Sequence, residues 1–180
     1  MKGFLIIFCV FLCFVFACNS PSTETSSLQL QHKFQLDARL PIDSNGFYHL
    51  NLNMNSWQTL HRISGSVDSV SEDWALTKVY WESSHYWIIG DTLGYIVHFN
   101  NPFNDTNYYY QTPDTTYITF FEGFEVPTIN SASYSTMNGE INTMFAPVRN
   151  MLHDTITVSA QAIYADGYSS GILQIEIIID

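Results

Sequence analysis

Side chains able to do covalent or acid–base chemistry are plentiful in this 180-residue chain, but few stand at spacings that declare a reaction. Serine, histidine and aspartate all occur, yet no Gly-x-Ser-x-Gly elbow marks a nucleophile, and abundance alone does not assemble a triad in space. Glu122 and Glu125, in the segment EGFEVP, are a carboxylate pair of the type glycoside hydrolysis uses. That reaction needs the two acids on opposite sides of a sugar in a sizeable cleft, so here they read as solvated loop residues. His32, His49, His61, His85, His98 and His153 are scattered, without the short spacings of a zinc site. Asp43-Ser44-Asn45-Gly46 opens like a calcium loop, but Phe47 and Met54 fall at its fifth and twelfth positions and offer no side-chain oxygen, which favours a turn. The expectation is a protein without metal or cofactor, and not an enzyme.

The cysteines carry a clearer message. Lys2 precedes an uninterrupted apolar run from Phe4 to Ala17, shorter than the about 20 residues a membrane-spanning helix needs, so a removable export signal fits better than a permanent span. Cys9 follows Phe8 and Cys13 follows Leu12, whereas Cys18 follows the small Ala17 that a signal peptidase requires. The stretch Val15-Phe16-Ala17-Cys18 resembles the lipobox of bacterial lipoproteins, with Phe16 a bulkier residue than that pattern usually holds. The resemblance implies diacylglycerol on the Cys18 thiol and cleavage before it, giving a signal peptide over 1–17. The alternative, an ordinary secretory signal, would leave Cys18 as a lone thiol in an oxidising compartment.

With the leader removed, no second cysteine remains for a disulfide, and Lys33, Arg39, Arg62, Lys78 and Arg149 are the cations left against 17 carboxylates. So acidic a surface repels nucleic acid and anionic headgroups alike, and membrane attachment must run through the acyl chains on Cys18. Asn19 to Ser27 reads NSPSTETSS, a tether with nothing apolar to bury, able to reach about 30 Å when extended. Residues 18–30 are thus the lipidated cysteine and its tether. In lipoproteins an Asp after the lipidated Cys retains the protein at the inner membrane; Asn19 is not that signal, which points to the outer membrane of a Gram-negative bacterium.

Residues 31–180 read as one β domain. Phe34, Leu36, Ala38 and Leu40 alternate with Lys33, Gln35, Asp37 and Arg39, the period of a strand with one buried face. A turn at Asp43 to Gly46 and a second alternation through Tyr48, Leu50, Leu52 and Met54 complete an expected N-terminal β-hairpin, with Trp57 to Ile63 a third strand in this 31–64 extension. Further strands are expected over residues 76–82, 86–89, 95–99, 117–121, 140–148, 155–164 and 172–179, the last with Leu173, Ile175, Ile177 and Ile179 on one face. Short strands bounded by turn residues indicate an antiparallel β-sandwich, with a barrel the lesser alternative. The two runs of Asp154 to Ile179 around Asp166-Gly167, with Val79-Tyr80-Trp81, resemble the closing hairpin and Trp-bearing strand of bacterial immunoglobulin-like and fibronectin type III-like domains. That resemblance implies an immunoglobulin-like core over 65–180; it implies no function.

The aromatic residues are the remaining functional signal. Trp57, Trp74, Trp81 and Trp87, with Tyr108-Tyr109-Tyr110 and Phe120-Phe121, exceed what a minimal core needs. An exposed row of rings stacks well on sugars; a buried one is core. Trp87, Tyr108, Tyr109 and Tyr110 are the candidate ligand contacts, the tyrosines because consecutive residues of an extended segment point to opposite faces. Asp68-Ser69-Val70, Asp91-Thr92-Leu93, Asp114-Thr115-Thr116 and Asp154-Thr155-Ile156 resemble the acceptor sequence some Gram-negative bacteria use for O-glycosylation, though Asp-Thr also simply opens strands. The expected function is a non-catalytic, membrane-anchored envelope lipoprotein presenting a β-sandwich to an envelope protein, with carbohydrate binding through exposed aromatics as the alternative.

Overall fold

The computed structural model describes residues 32–68, 76–98 and 124–180, together with the backbone of 108–111 and 116–117. Cys18 and its leader, Trp74, Phe120, Phe121 and Glu122 lie outside the described residues, as do Ser69-Val70 and Asp114-Thr115 of two of the four Asp-Ser/Thr acceptor-like segments. Within them the chain is all-β, with one short 3-10 turn at Arg149–Met151. Among the described residues no helix is long and apolar enough to cross a membrane.

Thirteen strands follow in order: β1 Phe34–Asp37, β2 Tyr48–Leu50, β3 His61–Val67, β4 Lys78–Ser83, β5 His85–Ile88, β6 Tyr95–His98, β7 Tyr108–Gln111, β8 Thr116–Tyr117, β9 Glu125–Pro127, β10 Ala132–Tyr134, β11 Glu140–Phe145, β12 Thr155–Ile163 and β13 Leu173–Ile179. They form three open sheets where the sequence suggests two. The first has the order β1-β3-β11, the second β10-β4-β12-β13-β2 and the third β8-β7-β6-β5-β9.

The alternation in β1 is as its residue pattern dictates: Lys33, Gln35, Asp37 and Arg39 face solvent, and Ala38 is fully buried. Its partner differs from expectation. The Asp43 turn forms, with the Asp43 carboxylate accepting the Asn45 and Phe47 amides at 2.9 Å each, but the hairpin it closes is a single bridge between Ile42 and Tyr48. Strand β1 pairs antiparallel with β3, and β2 runs parallel to β13 in another sheet. The N-terminal β-hairpin is therefore corrected to two strands in separate sheets. The cause is burial: Leu50 and Tyr48 join the main core beside Ile177 and Ile179, which a lone hairpin could not offer them. Gly65 lies inside β3 opposite Leu36 and Ile141; a Cβ there would collide with the Gln35 carbonyl and the Ile141 side chain.

The closing hairpin forms as its sequence suggests, Thr155 opposite Ile178 through Ala160 opposite Leu173. Past that, Ile163 bridges Ser169, so one extra residue has entered on the later strand, a bulge at which the Ser170 hydroxyl takes the Ala162 amide at 2.9 Å. Inward residues of β3 and β11 (Ile63, Val67, Ile141, Phe145) share one apolar cluster with those of β4, β12 and β13 (Val79, Trp81, Ile156, Val158, Ile177, Ile179). Tyr95 and Val97 of β6 join it, whereas Tyr86, Ile88 and Ile96 form a second cluster on the opposite face of the third sheet.

Candidate functional site

Reactive side chains gather where the chain passes from one sheet to another. Only Ser84 separates β4 from β5, so the strand changes sheet within one residue. Ser83 donates to the His85 carbonyl at 2.8 Å and accepts from the Thr128 amide and hydroxyl. The Ser84 oxygen accepts the Thr157 amide at 3.0 Å and is hydrogen-bonded to His85 Nδ1 at 2.8 Å. On the other side of that ring, Nε2 lies 3.3 Å from Asp154 Oδ2, outside hydrogen-bond geometry, while the Tyr95 hydroxyl donates to the same carboxylate oxygen at 2.6 Å. Ser, His and Asp are thus brought together with no motif announcing them. Ser84 and His85 are buried, however, and Ser84 holds a backbone amide of the neighbouring strand. A nucleophile needs its oxygen presented to a substrate; this one fastens a bend.

Beside it, on the other face of the third sheet, stand Glu82, Tyr86, His98 and Glu125. Tyr86 donates to Glu82 Oε2 at 2.5 Å, its ring stacks on His98 at 4.4 Å, and His98 Nε2 lies 3.2 and 3.3 Å from the two Glu125 oxygens. Burial pushes the Glu82 carboxyl above its ordinary range, against the pull of the Tyr86 hydrogen bond. The sequence pairs Glu125 with Glu122, which lies outside the described residues; among the described residues Glu82 is near enough to feel the Glu125 charge. A third group surrounds His32, whose ring nitrogens lie 3.0 Å from Asp166 and 3.5 Å from Asp68, with the Tyr164 ring stacked on it at 4.0 Å. Burial pushes the Tyr164 hydroxyl up to about 12. Among the described residues no group of three His, Cys, Asp or Glu is arranged to hold a metal ion.

The sequence-predicted aromatic contacts fall in different places. Trp81 is 1% exposed and donates from Nε1 to Ser133, a core residue. Trp87 is half-buried against the main core, with Trp57 meeting it edge-on at 72°, so these two rings are not coplanar. Tyr108, Tyr109 and Tyr110 lie in β7, opposite His98, Val97 and Ile96 in the ladder, and their backbone is the extended segment the sequence suggests.

An open aromatic surface lies on the outer face of the second sheet. Lys78, Tyr80 and Glu82 alternate with the buried Val79, Trp81 and Ser83, and β10 places Tyr134 opposite Lys78 and Ala132 opposite Tyr80. Tyr134 is 60% exposed and Tyr80 40%. The Lys78 ammonium donates to the Tyr80 hydroxyl at 2.8 Å and sits 4.2 Å from the ring centroid. On the other side of β4, Gln161 of β12 lies opposite Tyr80. The alternation in Lys-Val-Tyr-Trp was legible; that Tyr134 would join it was not, because β10 is three residues long and its partner lies more than fifty residues away.

No family model matches the chain, and no curated protein does. Among solved structures it is similar to one described as the N-terminal domain of PorA, at 12% identity and a TM-score of 0.34, covering 82% of this chain and 98% of that one.

Proposed function

We propose that the protein is an exported bacterial lipoprotein, anchored through lipid on Cys18 to the outer membrane, that acts in the envelope as a non-catalytic binding module. The observation that carries the binding half is the pair of exposed rings, Tyr80 and Tyr134, with the half-buried Lys78 beside them on the outer face of the second sheet. Exposed aromatics clustered with a cation are a composition typical of recognition surfaces. The Ser84, His85 and Asp154 set supports the same reading, since its hydroxyl is engaged by the fold. The anchoring half rests on Cys18 as the cysteine that follows a small residue at the end of an apolar leader. An immunoglobulin-like ancestry for the body belongs with this proposal, supported by the β12–β13 hairpin and the buried Trp81 on β4.

The test is metabolic labelling of the full chain expressed in a Gram-negative host with radiolabelled palmitate. The wild type should take up label and sediment with outer membranes, and Cys18→Ser should do neither. Equal labelling of both proteins, or of neither, refutes the anchor.

A further inference from the structure

We propose that the outer face built from Lys78, Tyr80 and Tyr134 binds an otherwise neutral oligosaccharide bearing one uronic acid, the tyrosine rings lying against sugar faces and the Lys78 ammonium pairing with the single sugar carboxylate. The inference rests on the binding-module reading and names its ligand class.

Three observations lead to it. The first is charge. Lys78 is one of five cations that follow the leader, against 17 carboxylates. Among the described residues its ammonium has no carboxylate within 4 Å; the groups it meets are the Tyr80 hydroxyl and ring, with Tyr134 near enough to act electrostatically. The Tyr80 hydrogen bond raises its pKa, which keeps it charged. Glu82, the next outward residue on β4, is tied to the Tyr86 hydroxyl. Because so acidic a surface repels a polyanion, the ligand this one ammonium fits carries a single carboxylate, to which a cation held by phenols offers its counter-charge.

The second is shape. Tyr134 and Tyr80 are diagonal neighbours across the β10–β4 pair, a separation of about 7–8 Å between such positions. The small Ala132 stands opposite Tyr80, so the edge strand does not cover that ring, and the Lys78 ammonium lies over one of its faces. Two rings and one ammonium therefore fall within the footprint of a short oligosaccharide. The third is polarity. Gln161 beside Tyr80 donates from Nε2 to the Ser170 carbonyl, which leaves its amide oxygen to accept a sugar hydroxyl. A purely apolar partner would leave these polar groups unpaired. The face lies at the edge of its sheet, since β10 has β4 as its neighbour on one side alone, and an edge admits a linear polymer.

The experiment is calorimetric titration of the full chain in detergent with xylose oligomers bearing one glucuronate, the same oligomers methyl-esterified, and neutral dextran oligomers. Saturable binding of the free acid is expected, weakened at least about fivefold by esterification and by Lys78→Gln, and at least about tenfold by Tyr134→Ala. Glu176→Gln, on the same face but two strands from Lys78, should leave it unchanged. The esterification arm needs no variant, so the inference stays testable if a substitution unfolds the domain. Absence of binding, equal binding of acid and ester, or affinity indifferent to Lys78→Gln and Tyr134→Ala in folded protein overturns it. Self-association abolished by Tyr134→Ala, with no sugar bound, also overturns it and assigns the face to a second copy of the chain. These outcomes are independent of palmitate on Cys18, so failure of the ligand and failure of the anchor are read separately.

Discussion

Glu82 is held in two opposed ways, and the balance sets a measurable pH dependence. Burial raises its carboxyl above the ordinary 4.5, while the Tyr86 hydroxyl bonds the ionised form. Because the shift is upward, the folded state binds the proton more tightly than the unfolded chain. Below pH 4.5 both states are protonated, and stability falls as pH rises through the folded value. Glu82→Gln keeps an acceptor for Tyr86 but cannot ionise, so its denaturation midpoint should gain on the wild type as pH is raised from about 4 to about 7. A midpoint difference that does not change with pH would show that the hydrogen bond cancels burial, and one that moves in favour of the wild type as pH rises would show that the hydrogen bond governs the group. Gly65 makes a steric prediction at the same scale. A methyl group there meets the Gln35 carbonyl and Ile141, so Gly65→Ala should destabilise by about 1–3 kcal/mol, read by urea denaturation.

Strands that can be recognised from their own residues were legible, and those defined by their neighbours were not. β1 and β13 bury alternate side chains against one core, so period two is written into Phe34 to Leu40 and Leu173 to Ile179. The partner of β1 was not legible, because a turn of good chemistry at Asp43 says nothing about whether the strands beyond it gain more by pairing with each other or with distant ones. β9 and β10 are three residues each, too short to show a period. The passage from β4 to β5 reads in sequence as two strands, yet the groups that fasten the bend are the Thr128 amide and hydroxyl, the Asp154 carboxylate and the Thr157 amide, each remote in the chain. Those contacts give the bend a testable fastening. Ser84→Ala leaves the Thr157 amide without its side-chain acceptor inside the protein and removes the partner of His85 Nδ1. A loss of about 1–3 kcal/mol is expected, with early hydrogen exchange at Thr157. Exchange that is no faster at Thr157 than at Val158 would remove the bend from Ser84's account.

Across the whole molecule, the parallel pairing of β2 with β13 joins the beginning of the described body to its last strand, and His49 holds that seam. Leu52 donates its amide to the Asp180 carbonyl and Asp180 donates its own to Leu50, both at 2.9 Å, and His49 Nδ1 lies 2.7 Å from Asp180 Oδ2. Asp43 of the preceding turn approaches the other ring nitrogen at 3.8 Å. The Asp180 hydrogen bond is the main cause that raises the His49 pKa above 6.5, with both carboxylates adding to it. A histidine raised in the folded state contributes stability that is complete below 6.5 and is lost as pH rises through the folded value. The seam should therefore be tightest in mild acid. His49→Gln removes the charge but not the backbone bonds, so its midpoint should fall short of the wild type at about pH 5.5 and approach it at about pH 9. The group is solvent-exposed, and added salt should shrink the difference at the lower pH. If the deficit instead grows with pH, the charge on His49 is not what closes the sheet, and the seam rests on the β2–β13 backbone ladder and the burial of Leu50.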